Sequence, residues 1–376
     1  RDLVRSRGLG DVYKRQTLND RGMPLSDSDI FKAQFYKFYT GKGEKDAFIK
    51  RWKELEELTE KIFHPINGTP MDELFTRYMY FVRAKMGIKS STTEALRKFY
   101  EKDNYALLKK DSTFNDMITL AHFWEDVSNQ DRDRFSLRIL HRLFVLNYAP
   151  NGMWTYFVSV YFMKNKDANG MLDDDAFYQF LNRITGFIWT YAVTNPGVNA
   201  LRTPVYAEMV NIVNNRPVSF DGFKFEPATV KSMFANFAFS NTRPITKSML
   251  AWWAFQDDLQ ELISLETVLE IEHIYARNRF DKDKSLSDVK NLEAIGNKAL
   301  LEKRINIRAA DYRFSDKIKY YQGFTNSRNQ KKEGTKNHEL ISLATAADFT
   351  EDDIRNRTRQ IMTAFLTFLS ENSLTK

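Results

Sequence analysis

Between Lys45 and Val213 the large apolar side chains recur every three or four residues. Phe48, Trp52, Leu55, Leu58 and Ile62 form one stripe, and Leu74, Tyr78 and Phe81 another. Further stripes run through 114–127, 134–148 and 176–192. Residues so spaced share one face of an α-helix, so this region must bury its apolar surface by packing helices together. The stripes are separated at His64-Pro65, Gly87, Pro150-Asn151-Gly152, Asn169-Gly170 and Pro196-Gly197, where proline and glycine interrupt helices. The aromatic members read as core rather than as platforms for stacked bases. His64, His122 and His141 lie in or beside these helices with no carboxylate partner at ligand spacing, and read as packing or surface residues.

Beyond the helices the pattern changes. Val218–Phe225 alternates apolar and polar residues around Asp221-Gly222, which predicts a small β-hairpin. Helices are expected over 228–239 and 245–256. The last helix opens near Thr350, where Asp353 completes a capping box. Ile354, Ile361, Phe365 and Phe368 form its buried stripe, which leaves Arg355, Arg357 and Arg359 mostly solvated, with contact to backbone as the lesser alternative. Two motifs are decoys. Asn165–Gly170 resembles the start of a calcium loop, but Ala176 stands where a bidentate glutamate is required. Asn67-Gly68-Thr69 fits a glycosylation sequon that has no meaning in a cytoplasmic chain.

Composition narrows the function. With 376 residues, 43% of them hydrophobic, the chain can build two or three domains. There is no cysteine, which removes thiol catalysis, disulfides and any Cys-x-x-Cys zinc site, and fits a reducing compartment. No apolar run is long enough to span a bilayer, so no membrane partner is expected. A net charge of +7 favours an anionic partner.

The chemistry concentrates between Leu269 and Lys317. Val268–Ile274 has the β-branched, apolar character of a short strand ending in Glu272-His273. Lys298–Leu301 can form a second strand, and a basic, aromatic segment from Arg308 to Tyr321 becomes helical from Asp311 or Ser315. Hydrolysis of a phosphodiester needs a base for water and a cation for the charge on the leaving oxygen. His273 is a candidate base. Glu272 and the amide oxygen of Asn306 could hold Mg²⁺ or Mn²⁺, since Mg²⁺ often takes only one or two protein oxygens. Neighbouring strand residues face opposite ways, so Glu272 and His273 share a site only if the strand bends or ends there.

Glu-His-Ile at 272–274, Ile-Gly-Asn-Lys-Ala-Leu-Leu at 295–301 and Arg-Ile-Asn at 304–306 resemble the HNH (ββα-metal) nuclease core. The closest likeness is to the C-terminal domain of GmrSD-like, type IV restriction endonucleases. The resemblance implies a small α+β nuclease core with flanking helices after a large, mainly α region. It makes His273 the general base, Glu272 and Asn306 the metal ligands, and Asn297 the amide that braces the loop and orients the base. Lys317 matches a lysine usual in this group; Arg304, Arg308 and Lys317 would hold phosphate. Two departures concern substrate fit: Ala276 replaces a common proline, and the loop between His273 and Asn297 is longer than in compact HNH domains.

The start of the chain carries two further signals. Ser6–Gln16 back-translates into a transposase-type sequencing adapter, with Arg1-Asp2 fitting the outer adapter and Leu3–Arg5 a barcode, and residues 1–16 are set aside as a non-native scar. Thr17–Lys32 reads as a turn and a capped helix start, with Ser26 as cap and Asp27 and Asp29 in the first turn. The same stretch resembles the closing motif of the ParB-like nucleotidase domain that precedes HNH in this restriction family, with Asn19, Arg21 and Gly22 as pocket residues. On that reading the rest of the nucleotidase domain lies upstream in the natural chain.

The expected organisation is therefore a helical domain over 17–264, including the nucleotidase remnant and the hairpin, and an HNH endonuclease domain over 265–376. The expected function is metal-dependent DNA cleavage in a prokaryotic, modification-dependent restriction or anti-phage enzyme of the cytoplasm. The alternative is a non-catalytic nucleic-acid-binding or regulatory helical scaffold with a degenerate HNH core. The segment 323–337, with Arg328, Lys331 and Lys332, is expected to be a mobile loop, either against DNA phosphate or simply solvated.

Overall fold

A computed structural model describes residues 25–310 and 312–376. The adapter-like segment 1–16 and the candidate nucleotidase residues Asn19, Arg21 and Gly22 lie outside the described residues, as does Asp311. The chain is mainly α-helical, with two small two-stranded antiparallel sheets among the described residues. No helix there is long and apolar enough to cross a membrane.

The chain divides into two compact units, one up to Asn129 together with Thr155–Gly170, the other Gln130–Trp154 with Met171–Lys376. The boundary expected near Ser264 falls inside the second. The first unit holds α1 (Asp27–Gly41), α2 (Lys45–Ile62), α3 (Pro70–Lys85), α4 (Leu96–Tyr105) and α5 (Asp111–Ser128). Ser26 and Asp29 close a capping box at the start of α1. Phe35, Phe48, Trp52 and Phe114 are buried and gather their rings into one cluster, each contributing about 1.5–3 kcal/mol by leaving water. The Arg77 guanidinium lies 4.2 Å from the Phe63 ring and 4.1 Å from the Trp124 ring. The aromatic stripes are core, as their periodicity predicts. His122 does have a carboxylate partner, Glu125 at 3.0 Å, on an exposed face.

After α6 (Leu137–Leu146) in the second unit and α7 (Met153–Asn165), the second unit continues with α8 (Asp174–Thr194), α9 (Val198–Val213), α10 (Pro227–Asn236) and α11 (Pro244–Ala254). The hairpin expected at 218–225 does not form; Asp221–Phe223 is a single 3₁₀ turn. Buried Glu208 accepts hydrogen bonds from the backbone N–H of Phe220 (2.7 Å) and Ser219 (3.3 Å). One of the strands a hairpin would need is thereby drawn onto α9. Phe220 takes a left-handed conformation (φ +52°) and stacks on Phe187 at 3.7 Å.

The C-terminal part of the unit starts at β1 (Leu269–His273), followed by α12 (Arg277–Asp283) and β2 (Lys298–Glu302). The strands pair antiparallel with Glu272 opposite Ala299 and His273 opposite Lys298. Next come α13 (Lys303–Ala309), α14 (Phe314–Gln322), β3 (Gly323–Thr325), β4 (Lys331–Glu333), α15 (His338–Leu343) and α16 (Glu351–Glu371). A core that includes Ile274, Leu301, Ile305, Phe314, Tyr321 and Leu340 lies beneath the ribbon and its helices. The segment expected to be a mobile loop is instead the β3–β4 hairpin. Its turn is tied by Asn326 Oδ1, which accepts from the N–H of Arg328 and Gln330. Its strands are too polar to show the alternation by which strands are recognised.

Helix α16 clamps the turn that carries Asn297. Ile354, Ile361, Phe365 and Phe368 are buried, as their spacing predicts. Arg357 departs from expectation: it is 4% exposed rather than solvated. Its guanidinium donates to the carbonyls of Ile295, Gly296 and Lys298 and pairs with Glu339. Those carbonyls leave the sheet pattern at the turn and need donors once buried. Gly296 allows the approach, for a Cβ there would lie 2.2 Å from both Ile354 O and Thr358 Oγ1. Gly296→Ala is therefore expected to destabilise the protein by about 1–3 kcal/mol, read as a lower midpoint in thermal melting; an unchanged midpoint contradicts the clamp.

Candidate active site

Alternation along β1 puts Glu270 and Glu272 on one face of the ribbon and Ile271 and His273 on the other. The strand stops at His273 and the chain bends at Ile274 and Tyr275. At that end a shallow cavity of about 270 Å³ is lined by Glu272, His273, Arg277, Asn306 and Lys317, among others. Residues from a strand, a loop helix and two later helices thus meet at one place.

Each polar group is held by specific neighbours. Glu272 is buried, and its Oε1 accepts from Lys317 Nζ at 2.6 Å and from Tyr321 OH at 2.7 Å. Burial, with Glu272 beside it, holds the Tyr321 phenol well above its usual pKa. Glu272 Oε2 has no hydrogen-bond partner among the described residues. Asn306 donates from Nδ2 to Glu270 Oε2 at 3.1 Å, which fixes the amide and leaves Oδ1 available. Asn297 is fully buried behind the cavity. Its side chain accepts from the N–H of Tyr275 (2.7 Å) and donates to the carbonyls of Tyr275 (3.0 Å) and Leu292 (2.9 Å). It therefore braces the backbone just after His273 without bonding to the imidazole.

His273 Nε2 is buried with no hydrogen-bond partner. The nearest carboxylate oxygen, Glu293 Oε1, is 3.5 Å away, close enough to act as a charge but too far for a hydrogen bond. Burial pushes the imidazole down to about 4; Glu293 opposes this, while Lys298 and Arg277 add to it. Glu293 is itself shared. Burial would raise its carboxyl, but the hydrogen bond and charge of Lys298, with His273 and Arg277, hold it down at about 2. Lys298 is buried and donates to Glu293 Oε2 at 2.8 Å and to Phe239 O at 2.7 Å. The imidazole is thus neutral at pH 7 and able to accept a proton.

These shifts set a stability dependence on pH. Burial also pushes His141 down to about 4. Both imidazoles have an ordinary value of 6.5, so below that pH the unfolded chain takes up protons that the folded chain refuses. Stability must fall as pH drops from 6.5 towards 4. A melting temperature lower at about pH 5 than at about pH 7.5 is the expected result, and an equal one would refute the burial of these rings.

The other predicted residues are placed differently. Lys317, expected at a phosphate, is 1% exposed and directs its ammonium to Glu272 and to the His273 carbonyl at 2.6 Å. A cation already committed to two oxygens inside the core positions Glu272 rather than standing free for substrate. Arg304 and Arg308 line a separate cavity along α13. Sequence reasoning missed Glu270, Arg277, Glu293, Lys298 and Tyr321. Glu270 could have been found as the second residue back from Glu272 on the same strand face; Glu293 has no local signal.

The oxygen donors at the cavity are one carboxylate and one amide. Among the described residues no cluster of three or more His, Asp or Glu is placed to hold a metal. The set suits a hard cation that keeps most of its shell as water and phosphate oxygen.

A two-stranded ribbon followed by a helix, bringing an acid, an imidazole and an amide to one cavity, defines a small α+β core inside a mainly helical protein. Residues 228–364 match the family model described as GmrSD restriction endonucleases, C-terminal domain, and over that segment the chain is similar to that domain. The match begins at α10, upstream of the ribbon. No curated protein and no solved structure matches the chain.

Proposed function

We propose that this chain is a metal-dependent DNA endonuclease of the HNH type, which hydrolyses phosphodiester bonds as part of a prokaryotic modification-dependent restriction or anti-phage enzyme of the cytoplasm. The observation that carries this reading is the convergence of Glu272, His273 and Asn306 on one cavity of a strand–strand–helix unit. Water attacks phosphorus in line with the leaving oxygen, and His273 takes the water proton at its unpartnered Nε2. Asn297 fixes the backbone from which His273 projects. Lys317 and Tyr321 hold one oxygen of Glu272, and Glu270 holds the nitrogen of Asn306, so that the remaining oxygens of both side chains are available to Mg²⁺ or Mn²⁺. The ion would stabilise charge on the leaving oxygen, a Lewis-acid contribution of several kcal/mol.

The test is incubation of the purified chain with supercoiled plasmid. Nicked or linear product is expected with Mg²⁺ or Mn²⁺ and none with excess chelator; failure to cut with either ion would overturn the reading. A second reading, a nucleic-acid-binding scaffold with a degenerate core, is favoured by one observation: Lys317 already supplies a cation to Glu272. DNA binding without cleavage would be its signature.

A further inference from the structure

The second cavity along α13, of about 700 Å³, is lined by Lys303, Arg304, Arg308, Lys331, Lys332 and Lys336. Three glutamates share the wall, but Glu302 is engaged by Thr335 Oγ1 and the Lys336 N–H, each at 2.6 Å. Of the cations only Lys303 has a carboxylate within ion-pair distance, Glu270 at 3.8 Å. Among the described residues, Arg304, Arg308, Lys331, Lys332 and Lys336 pair with none. Elsewhere in the same unit Arg277, Arg279, Arg313, Arg355 and Arg357 each pair with an acid. Unneutralised cations gathered in a concave wall repel one another, and the arrangement focuses a positive potential that a polyanion relieves.

The wall is built rather than loose. Lys331 and Lys332 sit on a paired strand, and Arg308 donates to the Glu333 carbonyl at 3.4 Å. The basic cavity and the catalytic cavity lie on two flanks of α13, which carries Asn306 towards one and Arg304 and Arg308 towards the other. A helix of seven residues is ~10 Å long, equal to the rise of about three base steps along a duplex axis.

We propose that this cleft seats the DNA backbone flanking the scissile phosphate, so that α13 links phosphate contacts to the hydrolytic centre. The inference rests on the nuclease reading above, and its test is kept separate from cleavage. Binding of a short blunt DNA duplex is measured in chelator over a range of salt concentrations. The wild-type chain is compared with Lys331→Gln/Lys332→Gln and with a charge-matched control on the exposed face of α2, Lys50→Gln/Lys53→Gln. Each lost phosphate contact lowers the magnitude of the log–log salt slope by about 0.9, so the first variant is expected to bind more weakly with a slope smaller by about 2, and the control to behave as wild type. Wild-type binding and slope in the first variant, equal losses in the control, no binding by the wild type, or preference for single-stranded RNA would each overturn the proposal. Plasmid nicking with an unchanged slope would leave the nuclease standing and remove the cleft. A reduced slope without nicking would do the reverse.

Discussion

Replacing His273 with alanine is expected to lower metal-dependent plasmid cleavage by about 10²–10⁴-fold, the range for a positioned general base. Folding and duplex binding should survive. The ring makes no hydrogen bond whose loss would strand a partner, and its Nε2 is already an orphan in the core. The carbonyl of His273, which accepts from Lys317, is backbone and remains. The comparison is of initial nicking rates with melting and binding curves run on the same preparations. Cleavage at the wild-type rate would mean that another group takes the water proton, and the mechanism proposed for this cavity would fall. Glu293 offers a finer control, because it touches no reacting atom yet lies 3.5 Å from the imidazole; its loss should alter the rate less than loss of the ring.

Lys317→Met should have the largest effect on stability. The ammonium is buried and paired with a buried carboxylate, at 1% and 5% side-chain exposure. Such a pair is weak evidence of net stabilisation, since both charges had to leave water. Removing one partner is another matter and costs about 3–5 kcal/mol, because the remaining charge is left uncompensated. Tyr321 alone would then face Glu272. A fall in melting temperature on the order of 10 °C is expected. The double variant Glu272→Met/Lys317→Met should recover much of that loss while being inactive, since two apolar side chains can fill the same space without a stranded charge. A single variant that melts as wild type would show that the pair is not buried in solution.

The pair also shows where sequence reasoning stopped. The strand ending at Glu272-His273 and the second strand from Lys298 were legible because each depends on neighbours within a few residues. The buried stripe of α16, the helix cap at Ser26 and the capping box at Thr350 were legible for the same reason. The role expected of Lys317 was not the one observed, because its partner lies 45 residues away and only the fold brings the two together. Arg357 was read as solvated because its helical position is polar in pattern, yet carbonyls on a turn about 60 residues earlier in the chain claim it. The 218–225 hairpin failed for a similar reason: Glu208, on another element, accepts the amides.

Helical periodicity, the order of strands and helices around the Glu-His and Gly-Asn motifs, the absence of thiol chemistry and the basic balance were all written in the residue order, because they follow from local spacing and side-chain type. The partners of the buried charges were not. Glu293 beside His273, Glu270 on Asn306, Lys317 on Glu272 and the grouping of free cations along α13 come from segments far apart in the chain. Burial makes each such meeting energetically decisive, and only the packed molecule determines which charges meet.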